Sequence, residues 1–161
     1  MSDLAKGATP SQTGRGDRAA PGRSYRVHAS STVGGAATIA TKGRTIEFDA
    51  STEQGDTLPG PADLLTAAFA ACVLKNVERF SHTLPFGYER ASILVDAERQ
   101  DAPPRMIAVR YVLRVVTDEP QQRVELLHLN IRRHGTIFNT LAAVCEVTGD
   151  IIAEPTGSAS R

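Results

Sequence analysis

An apolar helix that carries a cysteine constrains this chain more than any other feature. Pro61 predicts the first helical turn, because the N–H that proline lacks has no intrahelical partner there. Between Leu64 and Leu74 only Thr66 and Cys72 have any polar character, so the predicted helix is apolar on every side. Such a helix lies inside a core, and the charged residues that follow make it too short to span a bilayer. Cys72 is therefore a candidate reactive thiol within a buried helix.

The thiol of Cys72 has two alternative interpretations. Free cysteine usually packs as a small apolar residue, which predicts an inert thiol in the core. Lys75 and Asn76 follow on the same helical face, where a neighbouring ammonium favours the reactive thiolate. Cys145 lies on a predicted final strand, where it is expected to be a buried packing residue.

The composition excludes several classes of function. The chain has 161 residues with 18 basic and 18 acidic side chains, so one domain without a strong field for nucleic acid or membrane is expected. Two cysteines without an apolar leader predict a reducing, cytoplasmic location rather than a disulfide scaffold. The histidines lack the spacing of metal ligands and no phosphate-binding loop is recognisable, so neither metal nor cofactor is expected.

The first half of the chain predicts a tail followed by a small sheet. Residues 1–23 are rich in small and polar residues and include Arg15, Arg18 and Arg23, a composition typical of a flexible, solvated tail. From Tyr25 onward, short alternating segments separated by glycine turns predict a meander of three strands. The cysteine helix follows, and its pattern ends near Ser81.

The second half predicts a hairpin, two helices and a strand. Residues 88–100 and 105–117 alternate between apolar and polar, which indicates a long hairpin with one buried face. Helices are expected after Pro120 and Thr136, and a final strand from 144 to 153. The order βββ-α-ββ-αα-β predicts an α+β domain over 24–154, with helices on antiparallel sheets and a tail at 155–161.

This order and two motifs resemble the OsmC/Ohr family of thiol-dependent hydroperoxide reductases over roughly residues 25–153. The motifs are Pro61-Ala-Asp-Leu-Leu…Ala-Ala-Cys72 and Arg133-His-Gly-Thr-Ile-Phe-Asn-Thr-Leu141. The resemblance implies an intertwined homodimer with a central buried helix pair, in which each site takes residues from both chains. Burial between two subunits would explain a helix that has no polar face.

The same resemblance implies that Cys72 is the nucleophile that attacks a peroxide. Ala36, Ala62 and Gly135 stand where peroxidases of the family carry an arginine, a glutamate and a resolving cysteine. Lys75 and His134 are the candidate replacement partners of the thiolate. Because the arginine is missing, we expect desolvation to keep Cys72 mostly protonated at neutral pH.

Two functions remain open at this point. One is a redox stress-response protein that reduces organic hydroperoxides through a single family-type cysteine, with an external thiol as reductant. The other is a non-catalytic dimer that binds a small hydrophobic ligand at its interface. Whether peroxidase chemistry survives the loss of three family residues decides between the two functions.

Overall fold

The computed structural model describes residues 22–53, 55 and 57–157. Arg15 and Arg18, with nearly all of the expected tail at 1–23, lie outside the described residues. The same holds for residues 158–161 of the expected C-terminal tail. Thr156 lies within the described part, and its backbone N–H donates to Asp118 Oδ1 at 3.0 Å.

The helices and strands follow the predicted order βββ-α-ββ-αα-β, which confirms the α+β fold class. The strands are β1 (His28–Ser31), β2 (Ala36–Thr41), β3 (Arg44–Asp49), β4 (Arg90–Asp101), β5 (Pro104–Val116) and β6 (Glu146–Glu154). The helices are α1 (Pro61–Thr83), α2 (Gln121–His134) and α3 (Thr136–Ala142).

The first sheet is the predicted antiparallel meander, in the order β1-β2-β3. Its turns contain glycines with positive φ, and Gly35 at φ +90° also lies against the backbone of Ser51. A side chain at position 35 would therefore be strained and would collide with that backbone. The sheet packs closely on no helix and on no strand of the second sheet within the described residues.

The second sheet combines the predicted hairpin with a parallel edge strand, in the order β4-β5-β6. The predicted inner face of β5 is buried, and it consists of Val109, Tyr111, Leu113 and Val115. Strand β6 runs parallel to β5, whereas the sequence predicted antiparallel pairing only. The crossover through α2 and α3 is the physical reason, because it returns the chain to the end of the sheet where β5 began.

Helix α1 begins at Pro61 as predicted and ends at Thr83, slightly beyond the expected Ser81. The Asp63 carboxylate accepts a hydrogen bond from the Gly60 N–H at 2.9 Å, which stabilises the first turn. One face of α1 is buried: Phe69, Val73, Asn76, Val77 and Phe80. The helix is not fully enclosed within one chain, since Leu65, one turn before Phe69 on the same side, is 38 % exposed.

Gly135 joins α2 to α3 and is the C-cap of α2, as the sequence predicted. Its φ of −71° is open to any residue, so the backbone conformation does not require glycine there. The available space does require glycine, because a Cβ at position 135 would lie 2.9 Å from Phe138 Cβ and 3.0 Å from the Ile131 carbonyl oxygen. The junction between α2 and α3 is therefore tightly packed.

Candidate functional site

Cys72 lies in the middle of α1, and its side chain is half-buried. The amide of Asn76, one helical turn later and 6 % exposed, contacts this residue. Asn76 Nδ2 donates to the Cys72 carbonyl oxygen at 2.8 Å and lies 3.6 Å from Cys72 Sγ. The sulfur therefore faces a hydrogen-bond donor rather than an acceptor.

The junction between the two later helices lies beside this amide. A Cβ at Gly135 would be 3.6 Å from Asn76 Nδ2. Position 135 is thus separated from the sulfur of Cys72 by one side chain, although the two residues are far apart in sequence. Tertiary packing of α1 against α2 and α3 creates this proximity.

The two candidate thiolate partners have different surroundings. Lys75 is exposed on α1 and makes no ion pair with any described residue. The ring of His134 lies against the ring of Phe80, with the centroids 5.5 Å apart. The Arg79 guanidinium is 5.3 Å from the centroid of the Phe80 ring. His134 thus lies beside a residue that is two helical turns from Cys72. The pairing of the thiolate with His134 or with Lys75 stays a prediction.

Residues 53–149 match the family described as OsmC-like protein, and this span is more than half of the chain. The chain belongs to this family. No curated protein matched the sequence.

Solved structures show the same fold at low sequence identity. An OsmC-like protein from Mycoplasma pneumoniae superposes with a TM-score of 0.75 at 14 % identity, covering 81 % of this chain and 97 % of that one. An organic hydroperoxide resistance protein from Elizabethkingia anophelis gives 0.67 at 11 % identity, with coverages of 82 % and 99 %. The organic hydroperoxide resistance protein OhrB of Bacillus subtilis gives 0.61 at 15 % identity, with coverages of 80 % and 98 %.

Two further positions that the family resemblance singles out carry alanine in this OsmC-like protein. Ala36 begins β2 in the first sheet, and Ala62 is exposed in the first turn of α1. Asp63, the carboxylate next to Ala62, is engaged with the Gly60 N–H. Neither Ala36 nor Ala62 can supply charge to Cys72, because alanine has no ionisable group.

Cys145 differs from Cys72 in its hydrogen bonding. Its Sγ donates to the Leu141 carbonyl oxygen at 3.3 Å, and burial raises the pKa of this thiol. The side chain packs against the apolar core as predicted, but it is half-buried and lies just before β6, whereas the sequence predicted a buried residue on the strand. A thiol that donates to a carbonyl is held in its protonated, less reactive form.

Two polar clusters of this OsmC-like protein were not predicted. The Tyr111 hydroxyl and His128 Nε2 are 2.7 Å apart; burial raises the pKa of Tyr111 to about 12 and lowers that of His128. The Tyr88 hydroxyl donates to Glu78 at 2.6 Å, and this bond lowers the carboxyl pKa. The sequence offered one signal for the first of these pairs, since a tyrosine on a buried strand face such as Tyr111 requires a polar partner for its hydroxyl.

Among residues 22–53, 55 and 57–157, no group of three or more His, Cys, Asp or Glu side chains is placed to hold a metal ion. No described helix has both the length and the apolar character needed to cross a membrane.

Proposed function

We propose that this OsmC-like protein is a redox stress-response protein in which Cys72 reduces organic hydroperoxides, with an external thiol as reductant. The observation that carries the proposal is the contrast between the two cysteines. The Cys72 sulfur faces an amide donor, whereas the Cys145 thiol donates to a carbonyl. Only the first arrangement opposes the desolvation expected from the sequence and favours the thiolate, which is the nucleophile. Two of the similar structures are organic hydroperoxide resistance proteins.

The reaction requires two external thiols for each hydroperoxide. The Cys72 thiolate attacks the terminal peroxide oxygen, so that an S–O bond forms, the O–O bond breaks and an alcohol leaves after taking a proton. One thiol then attacks the sulfenic acid and releases water, which leaves a mixed disulfide. The second thiol attacks that disulfide, restores the Cys72 thiol and departs as an oxidised disulfide. An external reductant is needed because Gly135 has no sulfur to resolve the sulfenic acid.

The active form that we propose is a homodimer built around α1. Leu65 of α1 is 38 % exposed, and the first sheet packs closely on no helix among the described residues. A second copy of the chain would cover both surfaces, which favours pairing in water. Sedimentation at micromolar concentration should show a dimer, and a folded monomer would contradict this part of the proposal.

A second candidate function is supported by the lack of charge at the thiol. No charged side chain is hydrogen-bonded to Cys72 Sγ in the part of the chain that the structure describes. A dimer with weak thiol chemistry could instead bind a small hydrophobic ligand at its interface. The exposed apolar side chain of Leu65 on α1 is the observation that favours this alternative.

A turnover assay separates the two functions. Cumene hydroperoxide is supplied with dithiothreitol, and peroxide consumption is followed for the wild type, Cys72→Ser and Cys145→Ser. Catalysis by Cys72 predicts turnover in the wild type and in Cys145→Ser, and none in Cys72→Ser. Equal rates for all three proteins, at the level of dithiothreitol alone, would contradict the peroxidase and leave the ligand-binding function.

A further inference from the structure

The buried amide of Asn76 interrupts an otherwise apolar face of α1. The other buried residues of this helix are Phe69, Val73, Val77 and Phe80. Asparagine is a weaker helix former than leucine or alanine, and burial of its amide has a cost unless hydrogen bonds compensate. A residue of this type at 6 % exposure therefore needs a physical explanation.

The hydrogen bonds of Asn76 fix which end of its amide faces the sulfur. The backbone carbonyl of Cys72 can only accept, so the donor atom Nδ2 lies against it at 2.8 Å. The same Nδ2 carries a second hydrogen and lies 3.6 Å from Cys72 Sγ. The amide oxygen is thereby directed away from the sulfur, and the thiol receives a donor.

Burial shields this amide from water. Asn76 is 6 % exposed, and Gly135 lies beside Nδ2, where an added Cβ would make an ordinary contact at 3.6 Å. Asn76 therefore remains against Cys72 in a largely enclosed space, where water competes weakly for its hydrogen bonds. A donor placed in this way stabilises a thiolate more than a thiol, because hydrogen bonds to a charged acceptor are the stronger ones.

We infer that Asn76 is the positioning residue of the proposed peroxidase, and that its amide orients the Cys72 sulfur and favours the thiolate. The inference rests on the proposed function for the reaction, but its geometry is independent of any substrate. Asn76 provides a neutral hydrogen bond to the sulfur, which carries no charged hydrogen-bond partner among the described residues. This assignment adds a residue of this chain to the site and does not require Lys75 or His134.

The test follows the rate of Cys72 alkylation by iodoacetamide as a function of pH, in a Cys145→Ser background that leaves one thiol. Asn76→Leu removes the donor, and Asn76→Asp keeps the shape but adds a like charge. Both changes should move the midpoint of the pH profile upward by about one unit, since hydrogen bonds to charged groups have that strength. Alkylation at neutral pH should then be slower by about tenfold.

Asn130→Leu is the matched control. Asn130 Nδ2 donates to the Leu126 carbonyl at 2.8 Å, which is the same bond within a helix but without a sulfur. Its substitution should leave the alkylation profile unchanged. A merely structural role of Asn76 would lower the unfolding midpoint without moving the pH profile, and that result would overturn the inference. If Asn76→Leu does not fold, the Asp variant decides, and an unchanged or lower midpoint in that variant overturns the inference as well.

Peroxide turnover is measured on the same proteins to keep the two proposals distinguishable. If the wild type shows no turnover but the alkylation midpoint moves in both variants, the proposed function fails and the role of Asn76 stands. If turnover is present and the midpoint does not move, the proposed function stands and the role of Asn76 is refuted.

Discussion

Replacement of Gly149 by alanine provides a sharp test of the packing between β5 and β6. Gly149 lies opposite Tyr111 in the parallel pair. A Cβ at position 149 would overlap Tyr111 Cδ1 and the Tyr111 carbonyl oxygen, and would lie 2.6 Å from Cε1. Because part of this collision involves backbone, rotation of the ring alone cannot relieve it.

The tyrosine ring has little space into which it could move. Tyr111 is 3 % exposed, and its ring centroid lies 5.6 Å from that of Phe69 and 6.2 Å from that of Phe138. Overpacking of a core costs ~1–3 kcal/mol, and loss of a hydrogen bond such as the one to His128 adds ~1 kcal/mol. We therefore expect Gly149→Ala to lower the free energy of unfolding by about 3 kcal/mol.

Urea unfolding at a fixed protein concentration measures this change, with circular dichroism as the signal. Gly87→Ala is the control, since a Cβ there would meet only Glu119 Oε1 at 3.6 Å. The control should stay within ~0.5 kcal/mol of the wild type. If Gly149→Ala unfolds at the same urea concentration as Gly87→Ala, the conclusion that Tyr111 is rigidly held is refuted.

Three further outcomes are expected. Burial, and to a smaller extent the nearby Arg132, lowers the pKa of His128 in the folded state. The neutral imidazole therefore contributes its full stability above pH 6.5, and this contribution is lost as the pH falls through the lower folded pKa. His128→Gln should make the free energy of unfolding vary less with pH across that range. Hydrogen bonds from Ser51 and Gly55 lower the pKa of Asp49, so NMR titration of its carboxyl should show a midpoint below 3.8, and a midpoint at or above that value would contradict the bonds. Cys72→Ser should leave the sedimentation and the unfolding midpoint close to those of the wild type, since this exchange changes one half-buried atom; a loss of folding would indicate a structural thiol.

The cysteine helix could be predicted from sequence because its signals are local. Pro61 marks the first turn, and the apolar pattern that follows identifies a helix without reference to the rest of the chain. The direction of β6 could not be predicted, since alternation of side chains reports a strand but not its orientation. Only the helical crossover in three dimensions decides that orientation.

The candidate site was predictable to a smaller extent. Spacing along α1 placed Asn76 on the face of Cys72, but its burial depends on how α2 and α3 pack across the helix. The contact between His134 and Phe80 depends on the same packing. The pair of Tyr111 and His128 joins a strand to a helix, so no local pattern contains it.

The uncovered first sheet has a consequence for how the molecule opens. Three strands that pack closely on none of the described helices have little burial to hold them, whereas the second sheet is covered by α1 and the later helices. Amide protons of β1–β3 should therefore exchange with solvent sooner than those of β4–β6. Their protection should increase with protein concentration if a second chain provides the cover, because mass action then opposes opening. The two sheets would in that case report two different equilibria, one within the chain and one between chains.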